Sequence, residues 1–265
     1  MKKLPSRLPK QHSFWGSERP ILIAHRGGAG FYSIDRYRRE NTLEVFSAAK
    51  KLGYDYLELD VNSTADGKVI VMHVTTDRFE AVLHKPSAPN AKKMQKLTHP
   101  DLKKRLRREV PTLEDIFHAF PSTKFLIDSK TDEVVEPLAE EIIKAQAYDR
   151  VYLNSFYMHR VARLQELLGD KVTYGLIIGR YPRIFNRKLK ALKKGRYIDA
   201  GLTAVVVPYR FINKGLITLI HKQSLKAIVW APNTVLQINK ACAVGVDGIV
   251  SDNIKLLKQV ARSKN

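Results

Sequence analysis

Three stretches of the chain bring reactive side chains to strand-end spacing. In Ile21-Leu22-Ile23-Ala24-His25-Arg26-Gly27-Gly28 an apolar run ends in an imidazole, a guanidinium and two glycines. The pattern predicts a buried strand whose tip delivers a titratable group and a permanent cation to one point, followed by backbone too pliant to continue the strand. That combination suits work on an anion. In Tyr56-Leu57-Glu58-Leu59-Asp60-Val61 the two carboxylates stand two residues apart, so they share one face of a strand while Leu57, Leu59 and Val61 take the other. Phe125-Leu126-Ile127-Asp128-Ser129-Lys130 repeats the device with Asp128 and Lys130.

Carboxylates that face inward are costly unless they hold a cation. Three of them converging from two strands, Glu58, Asp60 and Asp128, suit a hard divalent ion, Mg2+ or Ca2+, with water or phosphate in the remaining positions. Zinc is disfavoured, because Cys242, the single cysteine, is not nearby and no helix carrying paired histidines supplies softer ligands. Lys130 is placed to neutralise a phosphate oxygen or the carboxylates. His73 ends a second apolar run, Val69-Ile70-Val71-Met72. With His25 it gives two histidines able to serve as general acid and general base at neutral pH. His84, His99, His118, His159 and His221 lack a comparable placement and are expected to be structural or surface groups.

The elements that must position these residues follow from periodicity. A strand at 21–25 leads through a long loop into a helix at 42–52, with Leu43, Phe46 and Ala49 on one face, Asn41 or Thr42 as cap and Gly53 as stop. A strand at 54–61 meets Thr64-Ala65-Asp66-Gly67, a hairpin signal, before a strand at 69–73. That connection is too short for a parallel crossover, so 69–73 is expected to be an antiparallel arm. After a basic segment and a helix at 112–120, strands at 124–128, 150–154, 172–178, 203–207, 225–230 and 248–251 alternate with helices at 133–147, 157–168, 211–222, 234–244 and 253–262. Setting the arm aside leaves eight strands. The expectation is an α/β fold, a (β/α)8 TIM barrel with a β-hairpin arm and basic insertions (74–110 and 180–199) on the loop side. Residues 1–20 read as an N-terminal arm docked by Phe14 and Trp15, and 21–265 as one catalytic domain. An open doubly wound sheet is the runner-up, but no Gly-x-Gly-x-x-Gly or Walker loop supports it. A barrel demands that chemistry sit at the C-terminal ends of its strands.

The net charge is +20, unevenly spread. Residues 84–108 hold nine Lys/Arg against Asp101 alone, and 180–196 hold eight with no acid. Such patches fit phosphate substrates or an anionic membrane. Neither patch is rich in aromatics, so nucleic acid is not the expected partner. No apolar run approaches a membrane span, and the basic start leads into no apolar core of a secretory signal. One cysteine fits a reducing compartment. A cytoplasmic protein, with peripheral contact to anionic membrane open to it, is expected; the oligomeric state has no sequence signature.

Taken in order from about residue 21 to 257, a set of short motifs resembles the glycerophosphodiester phosphodiesterases. They are His25-Arg26-Gly27, Glu40-Asn41-Thr42, Glu58-Leu59-Asp60-Val61, Thr64-Ala65-Asp66-Gly67, Val71-Met72-His73, Pro111-Thr112-Leu113, Asn154-Ser155-Phe156, Val229-Trp230 and Gly245-Val246-Asp247-Gly248-Ile249-Val250-Ser251-Asp252. The resemblance implies hydrolysis of a small-molecule glycerophosphodiester to glycerol 3-phosphate and an alcohol with a divalent metal. By position it makes His25 and His73 the acid/base pair, Glu58 and Asp60 metal ligands, and Arg26 and Lys130 phosphate-binding groups. Asp128 falls where the family usually has a glutamate ligand; sphingomyelinase D-like phospholipases use aspartate there. Val74 replaces the family's aspartate after the second histidine, and the loop after Gly28 is longer than the family's. Trp230 is expected to line the glycerol or alcohol side, and Phe156 to pack in the core. Two other readings stand beside this one: a lysophospholipase D or sphingomyelinase D-like enzyme, and a catalytically weakened barrel that binds polyanions.

Overall fold

The computed structural model of the chain describes residues 14–16, 20–29, 39–74, 90–179 and 181–262. Most of the expected arm 1–20, part of the loop after Gly28 and the first half of the basic segment 74–110, His84 included, lie outside the described residues. Eight parallel strands close into a barrel: β1 (Ile21–His25), β2 (Tyr56–Ser63), β4 (Lys124–Ser129), β5 (Val151–Ser155), β6 (Thr173–Ile177), β7 (Ala204–Pro208), β8 (Lys226–Trp230) and β9 (Gly248–Ser251). Strand β3 (Val69–Val71) pairs antiparallel with the end of β2 and forms the hairpin arm. The ring closes because β1 pairs in parallel with both β2 and β9.

Period-two alternation divides each strand between two cores. Leu57, Leu59 and Val61 of β2 pack outward against the helices, as do Phe125 and Ile127 of β4. Ile21 and Ile23 of β1, Tyr56 of β2, Leu126 of β4 and Tyr152 of β5 fill the barrel interior. Gly175 of β6 makes room for Tyr152, whose hydroxyl lies where a side chain on residue 175 would begin. The bottom of the barrel is stopped by Phe14. Its ring meets Tyr56 edge-on at 5.4 Å and Tyr152 at 5.7 Å, and the Tyr56 hydroxyl donates to its carbonyl at 2.8 Å. Phe14 is 1% exposed. Phe14→Ala is therefore expected to cost about 3 kcal/mol of stability, measured by urea unfolding.

The basic segment 180–199 differs from an insertion. It forms the helix of the fifth unit, Pro182–Lys193, followed by a short turn of helix at Arg196–Asp199. Phe185 and Leu192 face inward, and Phe185 stacks on Phe211 with ring centroids 4.0 Å apart. Arg183, Arg187, Lys190 and Lys193 ride on its outer side, while Lys188 turns in to the barrel top. The other basic segment is a true insertion between β3 and the helix Leu113–Ala119, and carries short helices at Ala91–Met94 and His99–Leu106. It has its own small core of Ile70, Met72, Val74, Ala91, Met94, Leu102 and Val110. Val74 is fully buried there. The residue after His73 thus fastens the insertion to the hairpin arm.

Candidate active site

At the mouth of the barrel the strand ends open on a cavity. All eight expected site residues line it: His25, Arg26, Glu58, Asp60, His73, Asp128, Lys130 and Trp230. Register brings them together. His25 lies opposite Glu58, Asp60 opposite Asp128, and Asp128 opposite Asn154.

Strand β1 stops where the cavity begins. Arg26, Gly27 and Gly28 all adopt positive φ, 51°, 81° and 71°. For Arg26 this costs on the order of 1 kcal/mol. It turns the Arg26 amide toward Glu58 Oε2, to which it donates at 3.0 Å. Gly27 and Gly28 are required twice over, by their φ and by space. A Cβ on Gly27 would lie 2.7 Å from Val45, and one on Gly28 2.6 Å from Ile254.

A buried network holds the charged side of the cavity. The Arg26 guanidinium donates to both Glu40 oxygens, at 3.1 and 3.2 Å, and its Nε is ion-paired with Asp60 Oδ2 at 2.9 Å. The Asn41 amide donates to the same Asp60 oxygen at 3.1 Å. Lys130 Nζ bridges Asp128 Oδ2 at 3.0 Å and Asp60 Oδ1 at 3.3 Å. Burial alone would raise the Asp60 pKa, but Arg26 and Lys130 outweigh it and hold this carboxyl far below the usual range. Glu58 goes the other way: burial, reinforced by the Asp60 charge, pushes it up to about 7.

His25 is oriented by a residue 227 positions away. Its Nδ1 lies 2.7 Å from Asp252 Oδ1, and its Nε2 faces Glu58 Oε2 at 3.7 Å. Asn233 donates to the other Asp252 oxygen at 2.9 Å and accepts from the Asp252 amide. A proton on Nδ1 bonded to Asp252 leaves Nε2 toward the cavity, the arrangement of an oriented base. Burial alone would lower the His25 pKa; the charges of Asp252 and Glu58 prevail, and it is raised. Asp252→Asn removes the first of those charges, so the imidazole pKa is expected to fall, followed by its NMR titration.

Sequence reasoning quoted Asp252, Glu40 and Asn41 as motif letters and gave them no role beyond a helix cap for Asn41. The cap is Thr42, which accepts from the Val45 amide at 3.4 Å. Asn154 was also missed. It is 1% exposed and lines the cavity, and its side-chain amide has no hydrogen-bond partner among the described residues. Phe156 packs against the apolar cluster of the barrel interior, as expected, and also lines the cavity, edge-on to Trp230 at 6.3 Å. With Ile177, Val206 and Val250 these rings make the wall opposite the charges apolar.

The expected metal ligands are brought to one cavity but do not close round one point. Among the described residues no three of His, Cys, Asp and Glu form a ready ligand cluster. Arg26 and Lys130 stand between the carboxylates. Their chemistry still fits a hard divalent ion. Three carboxylates share the cavity, Glu58 is destabilised as an anion, and the buried Asp128 Oδ1 lacks a hydrogen-bond partner among the described residues.

The model of the glycerophosphoryl diester phosphodiesterase family matches residues 25–256. The chain is 27% identical to the glycerophosphodiester phosphodiesterase of Caldanaerobacter subterraneus, over 91% of this chain and 98% of that one. It is 24% identical to the lysophospholipase D of Rattus norvegicus, over 89% and 84%. Among solved structures, a phosphodiesterase of Oleispira antarctica in complex with sn-glycerol-3-phosphate superposes with a TM-score of 0.70 at 16% identity, covering 92% of this chain and 97% of that one.

Proposed function

This chain belongs to the glycerophosphoryl diester phosphodiesterase family, and from that premise we propose that it hydrolyses glycerophosphodiesters to glycerol 3-phosphate and an alcohol, with His25 and His73 exchanging the protons and a divalent cation, Mg2+ or Ca2+, at Glu58, Asp60 and Asp128. The observation that carries the reading is the shared cavity, which holds two histidines, three carboxylates and two buried cations on one side and an apolar wall on the other.

Arg26 and Lys130 bind the phosphate oxygens, exchanging part of their carboxylate pairing for the diester. One histidine takes the proton of the attacking hydroxyl, whether water or the glycerol 2-hydroxyl. The other gives a proton to the alkoxide as its bond to phosphorus breaks. Asp252 and Asn233 keep the His25 ring in register for its transfer. A bound cation would supply Lewis-acid stabilisation of the charge that develops on phosphate. The departing alcohol lies toward Phe156 and Trp230. That apolar wall favours a second reading of substrate, a lysophospholipid cleaved by lysophospholipase D chemistry, in line with the name of the rat relative.

No helix among the described residues is long and apolar enough to cross a membrane. We place the protein in the cytoplasm, its basic surface meeting anionic membrane peripherally.

The test is release of glycerol 3-phosphate from glycerophosphoglycerol, glycerophosphoethanolamine and glycerophosphocholine, with and without chelator, beside lysophosphatidylcholine. Release from none of them by folded protein would leave the polyanion-binding reading in its place.

A further inference from the structure

Barrel helices run antiparallel to their strands, so their first turns surround the mouth. Among the described residues seven large apolar side chains are exposed. Four of them, Tyr157, Ile184, Val235 and Leu236, cap or open helices that begin at the mouth after β5, β6 and β8, and Leu43 opens the helix after β1. Leu236 is 81% exposed, an unusual position for a leucine with no partner surface. Leu52 and Ile143 lie at the opposite ends of their helices.

Charge concentrates on the same rim. The mouth segments after β5, β6, β7 and β8 (156–159, 181–187, 209–215 and 231–237) contain no Asp or Glu. Exposed Arg183, Arg187, Arg210 and Lys214 lie within them. The helix carrying two of these is fixed to the barrel top by Lys188, whose ammonium donates to the carbonyls of Phe156 and Ile177 at 2.7 Å each. Those two residues also line the apolar wall of the cavity. The acid-free rim is thus anchored through Lys188 and continuous with the apolar side of the site.

We propose that this rim, the mouth end of the β5–β8 sector, is a docking surface for an anionic lipid bilayer. Cations meet the headgroups, and apolar tips enter the boundary with the acyl chains. Nucleic acid would match the charge but would leave Leu236 and Ile184 unused. Docking this way sets the cavity against the bilayer. That consequence rests on the phosphodiesterase reading, whereas docking is measured without turnover.

The test is cosedimentation with phosphatidylcholine vesicles, with and without phosphatidylglycerol. The protein is expected to bind the anionic vesicles in low salt and to leave the neutral ones. Arg183→Glu with Arg187→Glu is expected to weaken binding by about twentyfold or more. Leu236→Asp is expected to remove the part of binding that survives high salt. All variants should keep the circular dichroism and urea midpoint of the native protein, showing that they fold. Failure of the native protein to bind anionic vesicles would overturn the proposal, as would undiminished binding in both variants. Tighter binding to a DNA duplex, lost in the same variants, would assign the rim to nucleic acid instead.

Discussion

Replacing His25 by alanine is expected to lower kcat on a soluble glycerophosphodiester by about 10³-fold, with the fold and divalent binding retained. The size is that of a positioned acid/base group. His25 has the marks of one: a ring fixed by Asp252 at 2.7 Å, a free path from Nε2 to the cavity, and a carboxylate at 3.7 Å that tunes it. His73→Ala should fall in the same range, since the opposite proton transfer is assigned to it. If the two act as a unit, the double variant will lose little beyond the worse single one. Steady-state kinetics with chelator and excess metal read all three. A His25→Ala enzyme at full rate would remove this residue from the chemistry.

Glu58→Gln and Asp60→Asn are expected to divide two effects that the carboxylates combine. Both should cut divalent affinity by about 100-fold or more, read by calorimetry of the folded protein. Only Asp60→Asn should also cost stability, about 3 kcal/mol, because it strips Arg26 and Lys130 of a shared buried partner. Glu58 is already poorly suited to carry charge where it lies. Its raised pKa sets the sign of a pH effect. The folded protein holds the Glu58 proton more tightly than the unfolded chain, so that contribution is complete below pH 4.5 and is lost as pH rises through about 7. The raised pKa of His25 acts in the same direction. Metal-free native protein should therefore lose stability across that window in urea unfolding, and Glu58→Gln should flatten the profile. A Glu58→Gln profile as steep as the native one would refute the assignment.

The residues of the site that obey strand periodicity were readable from the sequence. Glu58 and Asp60 share a face because they are two apart, and Asp128 and Lys130 repeat the spacing one strand along. The barrel itself followed from counting alternations. What period two could not supply was pairing across the closure: Asp252 meets His25 only because β9 lies beside β1. Asn154 was within reach. It alternates with Tyr152 on the inward face of β5, and an amide there is as telling as a carboxylate. The helix at 182–193 was hidden by its charges. Phe185 and Leu192 are a sparse apolar stripe among five cations, and such a stripe is easily read as an insertion. Val74 shows the opposite limit. A missing aspartate suggested a weakened site, whereas the position is occupied by the core of the basic insertion.

The pair formed by His25 and Asp252 joins the end of the first described strand to the residue that follows the last. During synthesis from the N-terminus, β1 must wait with one edge unpaired until residues 248–251 have emerged. No shorter nascent chain can hold the imidazole in its working orientation. The oriented imidazole is thus an internal signal that the ring has closed, and a truncated product would carry Arg26 and Lys130, the cations proposed to bind phosphate, without the oriented histidine beside them.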